Sequence, residues 1–370
     1  MTVFLSSALL VVYVLAGYPL LVMLWARVRP RPIVKRPTER SVSVLLPVHN
    51  GEPWIGAKLA SLAALDYPRH LLQIIVVSDG SSDRTVEIAR AFTGVTVIEI
   101  ARAGKPAGLN AALARASGEI LFLTDVRQRL DPACLRHLVA CFADPSVGVV
   151  SGELVFLSSA TSEQADIGVY WAYEKRIRAA QSSVGSVPGA TGAIYAMRRE
   201  LAVVLPQQAL LDDVYLPLAA FFRGFRIVWE PSARAFDYPA ALASEFRRKV
   251  RTLAGVYQIV GFFPAILAPV HGLWIHFLSH KLGRLLVPYA LIALAASTPS
   301  LPAPLAWSAG CAQAGFYALA AADRWIPERF PMKRFSSPAR TFVVLMAAGV
   351  AALSILVRPA QRLWGLSDAR

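Results

Sequence analysis

Between residues 41 and 124 the chain alternates short apolar runs with stretches of helical periodicity, at the spacing of an α/β domain. Strands are predicted over 41–46, 73–78, 95–100 and 119–124, and helices over 54–65, 84–92 and 107–116. Because a helix follows each of the first three strands, we expect the strands to lie parallel in one sheet. The predicted fold is therefore a Rossmann-like, mostly parallel α/β sheet.

Polar residues follow these strands at the edge where ligands collect in open α/β sheets. Asp79 and Asp125 each end an apolar run, and each on its own is more often a turn cap than a ligand. Lys105 lies in a glycine loop that opens a helix, which suits a diphosphate, while the carboxylates suit a nucleoside or a divalent cation. There is no GxGxxG after the first strand and no GxxxxGK[ST], so a nucleotide-sugar site fits better than a dinucleotide site or a P-loop.

Four blocks in this order resemble the inverting family 2 glycosyltransferases, which have a GT-A fold: LPVHNGE at 46–52, VSDGSSD at 77–83, GKPAGLN at 104–110 and FLTD at 122–125. The chain is similar to the membrane-anchored branch with the cellulose, hyaluronan and poly-N-acetylglucosamine synthases, over roughly residues 41–255. The resemblance implies that Glu52 and Asp79 hold the nucleoside and that Lys105 approaches the phosphates. It implies a donor site formed by Pro47, His49, Glu52, Asp79, Lys105, Asn110, Asp125 and Arg251.

Two further motifs lie in the second half of this region. The small-residue loop around Gly192 and Ala193 would let an acceptor sugar approach the backbone, although it can equally be a turn before a strand. Asp212 and Asp213 open a predicted helix, where they can either cap the helix or supply the base that direct displacement needs. The resemblance places the base at Asp213, with Asp212 at the preceding acidic position.

The chain departs from the family pattern at two places. Arg127 occupies the third position of the DxD motif, so Mg²⁺ or Mn²⁺ would have to be held by Asp125 together with substrate oxygens and water, or by another carboxylate. The QxxRW motif is reduced to RKVRT at 248–252, which argues against processive synthesis. Its arginine, Arg251, can neutralise the leaving diphosphate or pair with anionic lipid, and both roles can hold together.

The remainder of the chain is apolar, and the mean hydropathy of the whole is +0.48. Val3–Ala26 is long enough to span a bilayer and a basic cluster follows it, which predicts a cytoplasmic catalytic domain at a bacterial-type plasma membrane. Residues 254–270 suit a helix that lies in the interface, or a re-entrant one, at least as well as a span, and further spans are expected near 285–296, 303–322 and 342–357. The predicted regions are an anchor and linker (1–38), the GT-A domain (39–240), interfacial helices (241–280) and carboxyl-terminal transmembrane helices (281–370).

The net charge of +14 does not by itself indicate nucleic acid, because the basic residues cluster beside apolar segments. The three cysteines form no CxxC pair, so neither a zinc site nor a disulfide framework is indicated. We expect transfer of a sugar, from a UDP-sugar, to a saccharide or lipid-linked acceptor in cell-surface polysaccharide or glycolipid synthesis, with membrane lipids as further partners. The alternatives are a processive polysaccharide synthase and a non-catalytic membrane scaffold with a vestigial transferase domain.

Overall fold

The structure is a computed structural model that describes residues 1–157, 162–238 and 242–357. The chain divides into two compact units. We call residues 30–157 and 181–237 the sheet unit, and residues 1–29, 158–180 and 238–370 the helical unit. The last part of the predicted carboxyl-terminal membrane region, residues 358–370, lies outside the described residues.

The sheet unit is built on one mixed sheet. Its strands are β1 Val42–Val48, β2 Leu72–Asp79, β3 Val95–Ile100, β4 Ile120–Leu123, β5 Arg129–Leu130, β6 Val147–Phe156, β7 Tyr195–Arg198 and β8 Arg226–Asp237. They lie in the order β3-β2-β1-β4-β7-β6-β8-β5. The first four neighbours are parallel, β7 is antiparallel to both β4 and β6, β6 and β8 are parallel, and β5 is antiparallel to β8. The expected mostly parallel α/β fold is confirmed.

The helices follow the same chain order. They are α1 Thr2–Val12, α2 Tyr18–Val28, α3 Glu52–Ala63, α4 Thr85–Arg90, α5 Lys105–Leu113, α6 Cys134–Ala140, α7 Ser162–Val184, α8 Asp212–Phe221, α9 Leu242–Phe262, α10 Leu273–His276, α11 Gly283–Ser297, α12 Ala303–Ala322 and α13 Lys333–Ala351. In the sheet unit, α5 packs on β1 and β2, and α6 packs on β8. Strands between such layers are buried on both faces, which is why β4 reads as the unbroken apolar run ILFL.

The first strand is longer than its sequence suggests. Pro47 was expected to end it, but β1 continues through Pro47 to Val48, where it still pairs with β2. On its other side β1 pairs with β4 only as far as Leu45. Pro47 therefore lies where the strand has a neighbour on one side only, a position at which proline is tolerated. The extension carries the residues after Val48 to the ligand edge of the sheet.

In the helical unit, three helices of the described part of the chain are long and apolar enough to cross a membrane: Thr2–Val28, Leu273–Ser300 and Lys333–Leu356. The helix α12 covers the span expected at 303–322 but is not one of the three, and it contains Gln313 among many small residues. The segment expected to lie in the interface begins in α9, which ends at Phe262 shortly before Pro264.

Polar side chains of the span Leu273–Ser300 have partners within the helical unit. Arg284 makes an ion pair with Glu174 of α7, and His280 Nε2 lies 3.4 Å from Glu174 Oε2. The Nδ1 atom of His276 lies 2.8 Å from the hydroxyl of Tyr18.

Candidate active site

The carboxylate of Asp79, at the end of β2, is buried and surrounded by donors. Arg102 Nη1 lies 2.6 Å from Oδ2, and the N–H groups of Ala103 and Gly104 donate to the carboxylate at 2.6 and 2.9 Å. His49 Nδ1 donates to the carbonyl oxygen of Asp79 at 2.8 Å. Asp79, which was expected to hold the nucleoside, thus lies against the loop that leads into α5, and His49 lies beside it.

The close approach of that loop depends on Gly80, which follows Asp79. Gly80 has a φ of +62°, and a Cβ atom there would lie 2.8 Å from the backbone nitrogen of Arg102. Any side chain at this position would therefore push the loop away from Asp79.

Glu52, at the start of α3, is paired with the start of α4. Its N–H donates to Asp83 Oδ2 at 3.0 Å, and its own Oε2 accepts from the N–H of Arg84 at 3.1 Å. Burial alone would raise the pKa of Asp83, but hydrogen bonds from the Thr85 hydroxyl and from backbone N–H groups outweigh it and lower that pKa. Glu52 and Asp83 therefore fix the two helix starts beside the donor edge.

Two of the expected donor residues hold neighbouring segments together. Pro47 packs on α5, because a Cβ at Gly108 would lie 3.1 Å from the Cβ of Pro47. Asn110 uses both ends of its amide on Leu205, with Nδ2 donating to the carbonyl at 2.9 Å and Oδ1 accepting from the N–H at 2.8 Å. These contacts join α5 to β1 and to the segment that precedes α8.

Lys105 brings the donor residues and the carboxylates of α8 together. Its Nζ lies 2.9 Å from Asp125 Oδ1 and 3.1 Å from Asp212 Oδ1. Burial alone would lower the pKa of Lys105, but Asp125 and Asp212 outweigh it and raise that pKa, so the ammonium stays charged. The Asp125 side chain is 39% exposed, whereas Asp212 is buried. A ligand can therefore reach Asp125 and Lys105, with Asp212 as the counter-ion behind them.

Asp213 lies next to the loop that was expected to receive the acceptor. The N–H of Gly192 donates to Asp213 Oδ2 at 3.1 Å, and the N–H of Ala190 donates to the Asp213 carbonyl at 2.7 Å. The carbonyl of Ala193 accepts from Thr124 Oγ1 at 2.7 Å. The loop is thus bonded both to the candidate base and to the residue before Asp125.

Two buried residues of this region have no motif that would identify them. Lys58 of α3 donates from Nζ to Thr124 Oγ1 at 2.6 Å and to the carbonyl of Gln128 at 2.9 Å. Burial and the neighbouring carboxylates of Asp212 and Asp213 raise the pKa of Tyr195 well above its usual value. A lysine in an amphipathic helix and a tyrosine in a strand are ordinary surface or core residues in sequence, so only the structure places them here.

The metal-binding capacity of the site rests on one carboxylate. Among the described residues there is no group of three or more His, Cys, Asp or Glu side chains that could hold a metal ion. Arg127, at the third DxD position, forms an ion pair with Asp237. Mg²⁺ is commonly bound by one or two carboxylates plus substrate phosphates, so Asp125 fits a cation that shares its ligands with a diphosphate.

Arg251 belongs to the helical unit, on α9. In the preceding turn, Arg248 Nη2 lies 2.8 Å from Glu245 Oε1, and its guanidinium lies 5.5 Å from the ring centroid of Trp171. The basic run of α9 is thus partly engaged within the helical unit.

Comparison with known proteins identifies a family for the region that contains this site. The model of the glycosyl transferase family 2 matches residues 43–204, which include Asp79, Lys105 and Asp125. The chain carries a family 2 glycosyltransferase domain. The family expected from the sequence is confirmed for this domain.

Curated relatives are similar over more than half of this chain. The probable glycosyltransferase YdaM of Bacillus subtilis is 27% identical over 59% of this chain and 56% of its own length. An N-acetylglucosaminyltransferase of Rhizobium meliloti is 29% identical over 68% of this chain and 66% of its own length. The chain therefore spans less than two thirds of the length of these relatives.

A solved structure is similar over nearly the whole chain. The mannosyltransferase PcManGT from Pyrobaculum calidifontis, in complex with GDP-Man and Mn²⁺, is 25% identical, with a TM-score of 0.74 over 96% of this chain and 99% of that chain. The similarity therefore extends beyond the family 2 domain into the helical regions.

Proposed function

We propose that this chain transfers a sugar from a nucleotide-sugar donor, a UDP-sugar, to a saccharide or lipid-linked acceptor, with inversion at the anomeric carbon. The observation that carries the proposal is the contact of Lys105 with both Asp125 and Asp212, directly beside Asp213. Lys105 is a cation that can bind a diphosphate, and Asp213 is a carboxylate that can accept the proton of an acceptor hydroxyl. The match to glycosyl transferase family 2 supports the same reaction.

The reaction is a direct displacement in which each residue has one task. The acceptor hydroxyl oxygen forms a bond to the anomeric carbon while the bond from that carbon to the diphosphate oxygen breaks. Asp213 takes the proton of the hydroxyl, held in place by the N–H of Gly192. The electron pair leaves with the nucleoside diphosphate, whose negative charge Lys105 stabilises.

The nucleoside lies against Asp79, Glu52 and His49 in this proposal. Asp79 exchanges some of its bonds from Arg102 and the loop N–H groups for a donor group of the base. Asp125 would hold Mg²⁺ or Mn²⁺, which would supply further positive charge to the diphosphate. The Mn²⁺ in the complex of the similar mannosyltransferase supports this assignment.

We place the reaction at the cytoplasmic face of a bacterial-type inner membrane. The three apolar helices supply the means of attachment, and the basic residues that follow the first of them support this orientation. An acceptor carried by a lipid would then receive the sugar at the membrane surface, in polysaccharide or glycolipid synthesis. The curated N-acetylglucosaminyltransferase supports the transfer of a sugar.

The test is nucleotide release by the purified full chain in lipid nanodiscs, from a panel of UDP-, GDP- and dTDP-sugars with a membrane extract as acceptor. Each donor is assayed with Mg²⁺, Mn²⁺ or EDTA. We expect release from one donor and a decrease of about 10²- to 10⁴-fold in Asp213→Asn. The same variant should still bind the nucleoside diphosphate in a calorimetric titration.

The control variant is Asp66→Asn, an exposed aspartate that pairs with Arg136 outside the site and should keep wild-type turnover. The length of the product separates a single transfer from processive synthesis. Absence of release from every donor, together with absence of heat on adding UDP or GDP, would contradict the proposal and favour a non-catalytic scaffold.

A further inference from the structure

The loop that carries Asp125 has an arginine where the family motif has its second acid. Arg127 extends from this loop to the carboxylate of Asp237, with Nη2 paired to Oδ2. Gln128 Nε2 donates to the same oxygen at 2.7 Å. Two consecutive side chains of the loop therefore bind one carboxylate oxygen.

Asp237 is itself held in place by the sheet. It is the last residue of β8, opposite Phe156 of β6, and its carbonyl accepts from the N–H of Leu157 at 2.8 Å. On the other side of β8, Phe236 pairs with Arg129 of β5, the strand that follows the loop. The Asp237 side chain is only 5% exposed, and a carboxylate at such a position is costly without a cation. Arg127 provides that cation.

The opposite side of the loop is closed by Lys58. Its nitrogen bonds Thr124, the first residue of the loop, and the carbonyl of Gln128, the last. The Lys58 side chain is 1% exposed, so water does not compete for these bonds. Asp125 thus lies in a loop whose first and last residues both bond the Lys58 nitrogen. Arg127 and Gln128 bind the same loop to Asp237.

We propose that Arg127 is a positioning residue: through its ion pair with Asp237, and opposite Lys58, it fixes the loop so that Asp125 meets Lys105 and the donor diphosphate. Arg127 is therefore not a replacement for a metal ligand, and an acid at this position would not improve the site. This inference rests on the proposed function, because Asp125 can be positioned for a donor only if a donor binds there.

The test is a charge-reversal cycle at the pair, with donor KM, kcat and melting temperature measured for the full chain in nanodiscs. Arg127→Glu and Asp237→Arg should each raise the KM for the donor at least tenfold, with a smaller change in kcat. The double variant should return to within about threefold of the wild-type KM. Gln128 can follow the reversal, because its Oε1 has no hydrogen-bond partner among the described residues and can accept from an arginine once the amide turns.

The ion pair of Lys35 with Glu230 is a matched control. Its side chains are 49% and 4% exposed, against 48% and 5% for Arg127 and Asp237, and both acids lie on β8. Lys35→Glu should lower the melting temperature by a similar amount and leave the donor KM unchanged. An equal rise in KM in Lys35→Glu would mean that loosening of the sheet unit is the cause and would overturn the positioning role.

Two more variants separate positioning from metal binding. Arg127→Lys should keep most of the donor affinity because the charge remains, whereas Arg127→Asp should lose it, and added Mn²⁺ should not restore it. If added Mn²⁺ restored the donor affinity of Arg127→Asp, the proposal would be overturned. Absence of turnover in the wild type would overturn the proposed function itself, whereas wild-type turnover with an unchanged KM in Arg127→Glu would overturn only this inference.

Discussion

The ammonium nitrogen of Lys58 lies 2.6 Å from Oγ1 of Thr124 in the interior of the sheet unit. The same hydroxyl donates to the carbonyl of Ala193 at 2.7 Å. Ala193 follows Gly192, whose N–H donates to the carboxylate of the candidate base Asp213. A single buried lysine thus connects the loop that carries Asp125 with the loop beside Asp213, so the donor and acceptor sides of the site share one support.

The first prediction concerns the pH dependence of stability that Lys58 imposes. Burial lowers the pKa of Lys58 to about 7, although Asp125 partly opposes the shift. Between pH 7 and about 10, Lys58 therefore binds a proton in the unfolded chain but not in the folded one, and the free energy of unfolding rises with pH by at most about 1.4 kcal/mol per unit. Lys58→Met should remove this slope in thermal unfolding scans at pH 7, 8, 9 and 10.

Lys35→Met is the control for that series. Burial alone would lower the pKa of Lys35, but Glu230 outweighs it and the pKa is raised. The stabilisation by this pair is therefore fully present below the unfolded pKa of about 10.4 and is lost only above it. Lys35→Met should lower the free energy of unfolding by a constant amount between pH 7 and 9. If the stability of wild type and of Lys58→Met changed with pH in the same way, Lys58 would not be a neutral buried lysine.

The elements around the donor edge could be predicted because their signals are local. The strand expected over 95–100 is observed over Val95–Ile100, since its apolar alternation is bounded by turn residues. The helix expected from the Asp212 and Asp213 pair begins at Asp212, where acids suit the first turn. The gathering of Lys105 and Asp125 at one edge follows from a parallel sheet alone.

The supports of the site could not be predicted, because their partners are distant in sequence. Lys58 and Thr124 are 66 residues apart, and Arg127 and Asp237 are 110 residues apart. A lysine in an amphipathic helix has the same local pattern whether its end reaches water or a buried hydroxyl. The two-residue strand β5 is likewise too short to give a periodic signal.

The second prediction concerns the charge at Lys105. Because Asp125 and Asp212 raise the pKa of Lys105, its ammonium should contribute no ionisation to the activity profile between pH 6 and 9. Lys105→Met should raise the donor KM at least tenfold by removing the cation from the diphosphate, and Lys105→Arg should recover part of it. Donor kinetics across this pH range check both points; an ionisation in the wild-type profile that disappears in Lys105→Arg would contradict the assignment.

The third prediction concerns the order in which metal and nucleotide bind. Asp125 is one carboxylate with an ammonium 2.9 Å away, so we expect Mn²⁺ to bind weakly until diphosphate oxygens complete its ligands. Calorimetric titration of Mn²⁺ should therefore give at least tenfold tighter binding in the presence of UDP, and Asp125→Asn should remove the gain. Tight binding of Mn²⁺ without nucleotide that survives Asp125→Asn would place the metal elsewhere.

The fourth prediction concerns the space beside the candidate base. A Cβ atom at Gly192 would lie 3.1 Å from Asp213 Oδ2, which is closer than ordinary van der Waals contact, so Gly192→Ala should displace the carboxylate by a few tenths of an ångström. A base that is slightly misplaced loses rate without losing donor affinity, and we expect kcat to fall about tenfold at an unchanged donor KM.

Gly185→Ala is the matched control for this change, because a Cβ atom there meets no atom of the described part of the chain within 4 Å. It should keep both constants, and steady-state kinetics of the two variants side by side will check the difference. If Gly192→Ala kept the wild-type kcat, the carboxylate of Asp213 would not be the group that takes the proton, since a base must lie within hydrogen-bond reach of the hydroxyl it activates.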